Sequence, residues 1–168
     1  MSIATADLIA AFSTAWDAST LDVLFKALRD SSVVEAQFPD VLHDQEAAPG
    51  QPFPYCVMDQ TTTTTTDRMS GGVAALREIR DTSLTLHVHA RAVNGDARTA
   101  KEIAAYLAEE IMKVFGGHPT VSPTGTLTLV NGEALIVQYV NDFGIRTGED
   151  EYRWTVEFLI RADVPVAV

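Results

Sequence analysis

Apolar residues spaced three and four positions apart predict two helices near the start of the chain. The first stripe predicts a short amphipathic helix over about residues 3–16, and it consists of Leu8, Ile9, Phe12 and Trp16. The second stripe consists of Leu21, Leu24, Phe25 and Leu28. Thr20 stands at the N-cap position of this second helix, with Asp22 in its first turn. Residues 31–54 then contain four prolines, which predicts a long loop of the kind that is often functional or ordered by a partner.

The segment "QTTTTTTDRMSGG" (residues 60–72) contains six consecutive threonines. Threonine is β-branched, so its stiff side chain suits an extended backbone, and the run contains few of the residues typical of disordered tracts. We therefore expect it to continue a strand that begins at Tyr55. Both faces of residues 60–70 are polar, which predicts a projecting edge strand able to pair with another chain. A flexible linker is the alternative interpretation.

Two later segments alternate between apolar and polar residues, as half-buried strands do. In "DTSLTLHVHARA" one face is predicted to carry Leu84, Leu86, Val88, Ala90 and Ala92, and the other Thr85, His87, His89 and Arg91. In "EYRWTVEFLIRADV" the two predicted faces are Tyr152, Trp154, Val156, Phe158 and Ile160, and Arg153, Thr155, Glu157 and Arg161.

A long helix and a hairpin are predicted between these two alternating segments. The helix should run from about Ala97 to Phe115 and end at Gly116-Gly117, before Pro119. Its expected apolar stripe is Ala100, Ile103, Ala104, Leu107, Ile111, Val114 and Phe115. Asn131-Gly132 is a strong two-residue hairpin signal. The segment "NDFGIRTGEDE" is predicted to be a polar loop with an acidic tip.

The order of these elements predicts an α+β fold. We expect a mostly antiparallel sheet with an N-terminal helix and one long helix packed on one face. No internal repeat or break in composition divides the chain, so residues 1–168 are expected to form one domain.

The net charge of −11 is unevenly distributed along the chain. Residues 1–66 carry −7, residues 67–101 carry +2 and residues 102–168 carry −6. An acidic surface disfavours specific nucleic-acid binding, which needs bases that neutralise phosphates, although it would let DNA pass without sticking. No apolar run is long enough to cross a bilayer, and no secretory signal is expected. The single cysteine, Cys56, is expected to be a buried reduced thiol in a cytoplasmic compartment.

Candidate chemistry is sparse. His87 and His89 share a strand face, but the sequence places no third metal ligand beside them, since His43 lies in the predicted loop and His118 follows the long helix. The acidic groups Glu109-Glu110 and Glu149-Asp150-Glu151 are expected to be solvated. No phosphate-binding loop or nucleophile motif is present. We therefore predict no catalytic, cofactor-binding or metal residues. A small-ligand or metal-binding module that uses His87 and His89 is the alternative.

The order of elements resembles the tail-terminator, or tail-completion, family of long-tailed bacteriophages and related phage-like particles. The likeness covers nearly the whole chain and rests on pattern: the segments that carry it are "AAFSTAW", "PFPYCVMDQTTTTTT", "REIRDTSLTLHVHARA", "ARTAKEIAAYLAEEIMKVF" and "YRWTVEFLIRADV". This family often has a shorter segment before the Pro-Tyr strand, so the second helix and the loop at 31–54 would be additions.

The resemblance implies a structural virion protein assembled in the host cytoplasm. It implies a homo-oligomeric ring, usually a hexamer, that ends growth of the tail tube at its head-proximal end and joins it to neck or connector proteins without covalent chemistry. The loop 31–54, the strand 60–70 and the segment 143–151 are then expected to lie between subunits. A head–tail stopper or a tail-tube subunit is the alternative within the virion.

Overall fold

The computed structural model describes residues 5–70, 76–116, 118, 120, 125–128 and 134–165. Within these ranges the helices are α1 (Thr5–Asp17), α2 (Leu21–Ala27) and α3 (Ala100–Phe115), with a 3-10 turn at Glu35–Gln37. The strands are β1 (Leu42–Asp44), β2 (Tyr55–Ser70), β3 (Leu76–Arg91), β4 (Thr126–Thr128), β5 (Ala134–Arg146) and β6 (Glu151–Pro165).

The six described strands form one sheet in the order β1-β2-β3-β6-β5-β4. Every neighbouring pair is antiparallel except β1, which runs parallel to β2. The helix α3 packs on β3, β5 and β6, and α1 and α2 lie in the same helical layer. The predicted α+β class and the mostly antiparallel sheet are confirmed.

The core lies between the helical layer and one face of the sheet. The ring of Phe12 in α1 stacks on that of Phe115 in α3, with centroids 4.1 Å apart, and Trp16 packs against Phe25 of α2. From the sheet, the alternating apolar residues predicted for the two long strands are buried at Leu84, Leu86, Val88, Ala90, Val156, Phe158 and Ile160. Ala92 is exposed, because β3 ends at Arg91. Tyr152 and Trp154 are only half-buried.

The threonine run is part of a strand, so the linker interpretation is wrong. The strand β2 pairs with β3 along its length, from Tyr55 opposite His89 to Ser70 opposite Leu76, with register shifts at Gln60/Thr62 and Thr65/Asp67. Its far end is better supported than predicted, because β3 in turn pairs with β6 as far as Arg77 opposite Pro165. On its other side, β1 covers only the segment from Cys56 to Met58. Past Met58, this edge of β2 has no neighbouring strand among the residues that the structure describes.

The helix α3 begins three residues later than predicted, at Ala100. Asp96 accepts a hydrogen bond from the Arg98 backbone N–H at 2.9 Å, which turns the chain before the helix. Thr99 and Glu102 then form a capping box. The helix ends as predicted at Phe115, and Gly116 follows it with a φ of 74°, a backbone conformation that favours glycine.

The buried face of α3 also differs from the predicted stripe. Val114 lies in the last turn and is 40% exposed, and Ala100 is only half-buried. Ala108 and Met112 are buried in their place.

The segment 31–54 is more ordered than its prolines predicted. It contains the 3-10 turn and β1. The buried guanidinium of Arg29 donates to Glu35 Oε2 at 2.9 Å, to the Phe38 carbonyl at 2.8 Å and to the Asp40 carbonyl at 3.2 Å. One side chain therefore holds the first half of the segment against α2.

The predicted polar loop "NDFGIRTGEDE" is wrong over most of its length. The strand β5 continues to Arg146, and only residues 147–150 form a turn before β6 begins at Glu151. A register shift between Tyr139 and Asn141 interrupts the pairing of β5 with β6 only locally. The hairpin signal Asn131-Gly132 lies outside the described residues, although Thr128 and Ala134 on either side of it pair as antiparallel partners.

Candidate functional site

The sheet face opposite the helical layer carries the polar residues that the sequence singled out. We call it the outer face. Side chains of cross-strand partners point to the same side of a sheet, so the registers place two rows of four residues across it. The first row is Tyr55, His89, Arg153 and Ile145, and the second is Val57, His87, Thr155 and Phe143.

Both predicted histidines lie in these rows and are engaged by neighbours. His87 Nδ1 and Thr155 Oγ1 are 2.9 Å apart, and the His89 ring stacks on Tyr55 with centroids 4.7 Å apart. Burial lowers the pKa of His89 to about 4, helped by the positive charge of Arg153. Burial also lowers the pKa of His87, and the positive charge of Arg153 lowers it further. Both imidazoles are therefore neutral near pH 7.

A third histidine joins this face. His43 was predicted in a loop but lies in β1 opposite Val57, with its ring edge-on to Tyr55 at 6.0 Å. His118 lies elsewhere, edge-on to Tyr139 at 4.3 Å. Within the described ranges, no group of three or more His, Cys, Asp or Glu side chains has an arrangement that could hold a metal ion.

Arg153 differs from the other arginines on the outer face. Arg91 pairs with Glu151 and lies over the Phe53 ring, while Arg161 forms a bidentate pair with Asp81 at 2.9 Å. In contrast, Arg153 Nε is buried and has no hydrogen-bond acceptor in the described part of the chain. The centre of the outer face therefore holds a desolvated donor on a cationic side chain.

The strand β5 carries an apolar stripe of exposed residues, of which Phe143 and Ile145 lie in the two rows that contain His87 and Arg153. Its large apolar residues are exposed to 61% at Ile136, 55% at Val140, 38% at Phe143 and 43% at Ile145. Single exposed apolar residues are ordinary, but a series of them on one strand is typical of a surface that contacts another protein.

The acidic turn between β5 and β6 is held in shape by the side chain of Arg146. Arg146 donates to the Gly148 carbonyl at 3.1 Å and to the Glu149 carbonyl at 2.9 Å. Glu149 and Asp150 are exposed, whereas Glu151 pairs with Arg91. The other acidic pair, Glu109-Glu110, faces Lys113 along α3 at 3.5 and 2.8 Å.

The remaining candidates offer little chemistry. Cys56 is fully buried, as predicted, and burial raises the pKa of its thiol far above the usual range, so the reactive thiolate is disfavoured. A cleft of about 680 Å³ lies between the segment 31–54 and the end of β3. Its lining includes Asp30, Val33, Pro49, Phe53 and Arg91. Arg91, the positively charged side chain in this lining, is already paired with Glu151.

Sequence reasoning missed Arg153 and the stripe on β5. Arg153 was placed on the polar face of its strand, but nothing in the sequence showed that its Nε would lack an acceptor. The stripe had a signal: Phe143 and Ile145 alternate with Asp142 and Gly144, which is a strand pattern inside the segment that we predicted to be a loop.

Comparisons with known proteins point in one direction. Residues 22–163 match the family described as "Tail completion protein gp17". None of the curated proteins matches the sequence. A chain of the "Virion of native gene transfer agent (GTA) particle" resembles this one at 17% identity and a TM-score of 0.41, covering 86% of this chain and 92% of that one. The family match spans most of the chain.

No single helix in the described ranges is long and apolar enough to cross a membrane. The bent pair Leu8–Asp17 and Leu21–Ala27 passes the test of length and composition only when its two helices are taken together.

Proposed function

The chain belongs to the tail completion protein family, and from that premise we propose that it is the tail terminator. It is a structural protein of a phage tail, and it is located in the virion at the tail or neck. In the proposed role, copies of the chain form a closed ring, in our expectation a hexamer, on the head-proximal end of the tail tube. The ring ends tube growth, presents its other side to neck or connector proteins, and performs no covalent chemistry.

The observation that supports this role most strongly is the apolar stripe on β5. Four large apolar side chains on one strand face solvent in a single copy of the chain. A surface of this kind is more stable when it is covered by another protein. In a ring of identical subunits, one patch of each copy contacts a different patch of the next, and repetition of that contact by rotation closes the ring.

The charge of the chain suits a channel through which DNA passes. A net charge of −11 repels phosphates, so a ring of such subunits would not hold DNA by its backbone. The negative charge therefore disfavours binding of DNA to the ring while the DNA passes through it.

The proposal is tested by assembling tail-tube protein with and without this chain and measuring tube lengths by electron microscopy. We expect the mean tube length to fall as more of the chain is added. Each tube should carry one ring, at a single end. Unchanged tube lengths with no chain bound at the ends would refute the terminator role. Long cylinders formed by the chain itself would instead identify a tube subunit.

A further inference from the structure

We propose that neighbouring copies join edge to edge: the backbone of β2 at Thr63 in one copy pairs antiparallel with the backbone of β5 at Gly144 in the next. The contact is part of the proposed ring and therefore rests on the proposed function. The two edges lie on opposite sides of the sheet, with β3 and β6 between them. A contact between them runs head to tail, the type of contact that rotation repeats into a ring.

The first edge belongs to β2, which β1 covers only from Cys56 to Met58. Two hydrogen bonds show which way the backbone groups of these residues face. The Cys56 N–H donates to the Val41 carbonyl at 2.9 Å, and the Met58 carbonyl accepts from the Gln45 N–H at 2.8 Å. Both residues therefore direct their backbone groups to the side of β1, away from β3.

The same alternation can be followed along β3 to the threonine run. In an antiparallel pair, residues that bond to the partner strand alternate with residues that face away from it. Val88 lies opposite Cys56, so the even-numbered residues of β3 do not bond to β2, and β3 pairs with β6 in one unbroken register. Thr63 lies opposite Thr82 and so directs its N–H and carbonyl to the open edge, whereas the next residue, Thr64, bonds to β3.

The second edge belongs to β5, which β4 covers only at residues 134–136. The strand continues to Arg146, and past residue 141 no described strand lies on that side. Gly144 lies opposite Trp154, which lies opposite Val88. Val88 does not bond to β2, so it bonds to Trp154 on β6. Trp154 therefore faces away from β5, and Gly144 directs its N–H and carbonyl to the open edge.

The directions of the strands suit antiparallel pairing between copies. From β2 through β3 and β6 to β5, each strand runs antiparallel to the one before it, so β2 and β5 run in opposite directions. Rotation about the ring axis keeps the orientation of every copy. It therefore places β5 of the next copy antiparallel to β2.

The heights of the two open stretches suit a closed sheet. Thr63 is level with Thr82 of β3 and Gly144 is level with Val88, six positions farther along (88 − 82 = 6). Six residues span about 20 Å and four strands span about 19 Å, so strands paired in this way would tilt by about 45°. Sheets that close on themselves have tilts of about 35–45°. The offset between the two edges is therefore close to the one that closure requires.

The exposed apolar side chains on β5 favour the same contact. Phe143 and Ile145 flank Gly144 and are exposed to 38% and 43%. Side chains on an added strand lie opposite such residues or diagonal to them, so pairing would remove part of their apolar surface from water.

The occupant is a second copy, because this chain carries both open edges in the directions and at the heights that pairing needs. The edge of β2 is also suited to pairing. Residues 59–70 contain no proline or lysine, which commonly prevent pairing at an edge. The register shifts at Gln60/Thr62 and Thr65/Asp67 leave Thr62 to Thr65 as a regular stretch between them.

The first experiment places proline at neighbouring positions of the full chain, because proline removes the backbone N–H. Thr63→Pro removes an N–H that faces the open edge. It should keep nearly the melting temperature of the wild type but form at least about tenfold fewer rings. Thr63→Val keeps the N–H and should form rings like the wild type. Thr64→Pro removes an N–H that bonds to β3, so it should melt at a lower temperature than Thr63→Pro. Rings are counted by native mass spectrometry, or on tube ends by electron microscopy.

The second experiment is oxidation of the double variant Thr64→Cys/Phe143→Cys. With Gly144 opposite Thr63, residue 143 lies opposite residue 64 in a closely spaced pair, where a disulfide can form. Within one copy the two positions are three strand spacings apart, about 14 Å, which a disulfide cannot span. We expect a ladder of covalent oligomers on a non-reducing gel, ending at the size of the ring. Each single variant should remain monomeric, since Cys56 is buried.

Three results would overturn the edge contact while the terminator role stands. The first is a Thr63→Pro variant that forms as many rings as the wild type. The second is a double cysteine variant that forms rings but no ladder. The third is covalent dimers from Thr64→Cys alone, which would show that β2 pairs with β2. If the wild type forms no ring, even with tube protein, the proposed function fails and the contact fails with it.

Discussion

Gly144 of β5 lies against two aromatic side chains of β6. A Cβ built at this position would lie 2.5 Å from Tyr152 Cε1 and 2.7 Å from Trp154 Cε3. Trp154 Nε1 also donates to Asp142 Oδ2 at 2.8 Å, which holds the indole over the glycine. The absence of a side chain at Gly144 therefore allows two aromatic rings to cover the strand.

We expect Gly144→Ala to lower the free energy of unfolding by about 1–3 kcal/mol, because the rings must shift to admit a methyl group. Urea denaturation measures the change. The matched control is Gly148→Ala, where the added Cβ would meet Glu151 side-chain atoms at an ordinary distance of 3.4 Å or more. Equal stability of the two variants would contradict this account of β5.

His89 gives the outer face a dependence on pH. Its pKa in the folded chain is about 4, below the ordinary 6.5, because burial and the charge of Arg153 disfavour the imidazolium. As pH falls, the unfolded chain therefore binds a proton before the folded chain does. The contribution of His89 to stability is complete above about pH 6.5 and is lost as the pH falls toward 4.

We expect His89→Gln to weaken the dependence of the urea midpoint on pH between 7 and 5, because glutamine cannot take the proton. The dependence should not vanish, since the pKa values of His43 and His87 are also lowered by burial. The control is His118→Gln, which removes an imidazole that contacts Tyr139, away from the outer face. An unchanged pH dependence in His89→Gln would show that His89 is not held neutral by the fold.

At the scale of elements, the ends of two helices that look alike in sequence differ in structure. Thr99 accepts a hydrogen bond from the Glu102 N–H and takes part in a capping box at the start of α3. Thr20 also occupies the N-cap position of α2, as predicted, but its side chain makes no capping hydrogen bond. A threonine at this position therefore indicates where a helix begins. It does not show whether the threonine side chain makes a capping hydrogen bond.

Thr99→Ala should reduce the free energy of unfolding by about 1 kcal/mol through loss of the cap. Thr20→Ala should change it much less, since no capping hydrogen bond is removed. Thermal or urea denaturation of the two variants makes the comparison directly. A larger loss in Thr20→Ala than in Thr99→Ala would reverse the expected order and contradict the capping assignment.

The sequence predicted the elements whose own pattern is long enough to identify them. The two N-terminal helices, the threonine strand and α3 each have a run of spaced residues, so local chemistry sufficed. It did not suffice for β1, whose three residues are a strand only because β2 lies beside them. The end of β5 was missed because Asn141 and Asp142 made a strand look like a loop. The environment of Arg153 depends on registers among four strands, which no single segment encodes.

At the scale of the whole molecule, among the residues whose exposure the structure describes, large apolar residues are exposed singly on the helical layer and in series on β5. The outer face has Phe143 and Ile145 next to Arg153, whereas Val23 on α2 and Val114 on α3 are exposed singly on the helical layer. We therefore expect the outer face to be the one covered in the assembly. That the chain forms one domain stays a prediction.

We expect Phe143→Ser/Ile145→Ser to lower ring formation at least tenfold with little change in the stability of the single chain, because both side chains are already exposed. The control is Val23→Ser/Val114→Ser, which removes similar apolar area from the helical layer. Native mass spectrometry reports the ring and a melting curve reports the fold. If rings form with Phe143→Ser/Ile145→Ser but are lost with Val23→Ser/Val114→Ser, the interface lies on the helical side and the expectation is wrong.

The most direct test of the central claim is electron cryomicroscopy of assembled tails that contain this chain. The account predicts one closed ring of copies per tail, at the head-proximal end, with the outer face of each sheet buried against the neighbouring copy. Copies repeated along the tube, or single copies whose outer faces remain open to solvent, would contradict it.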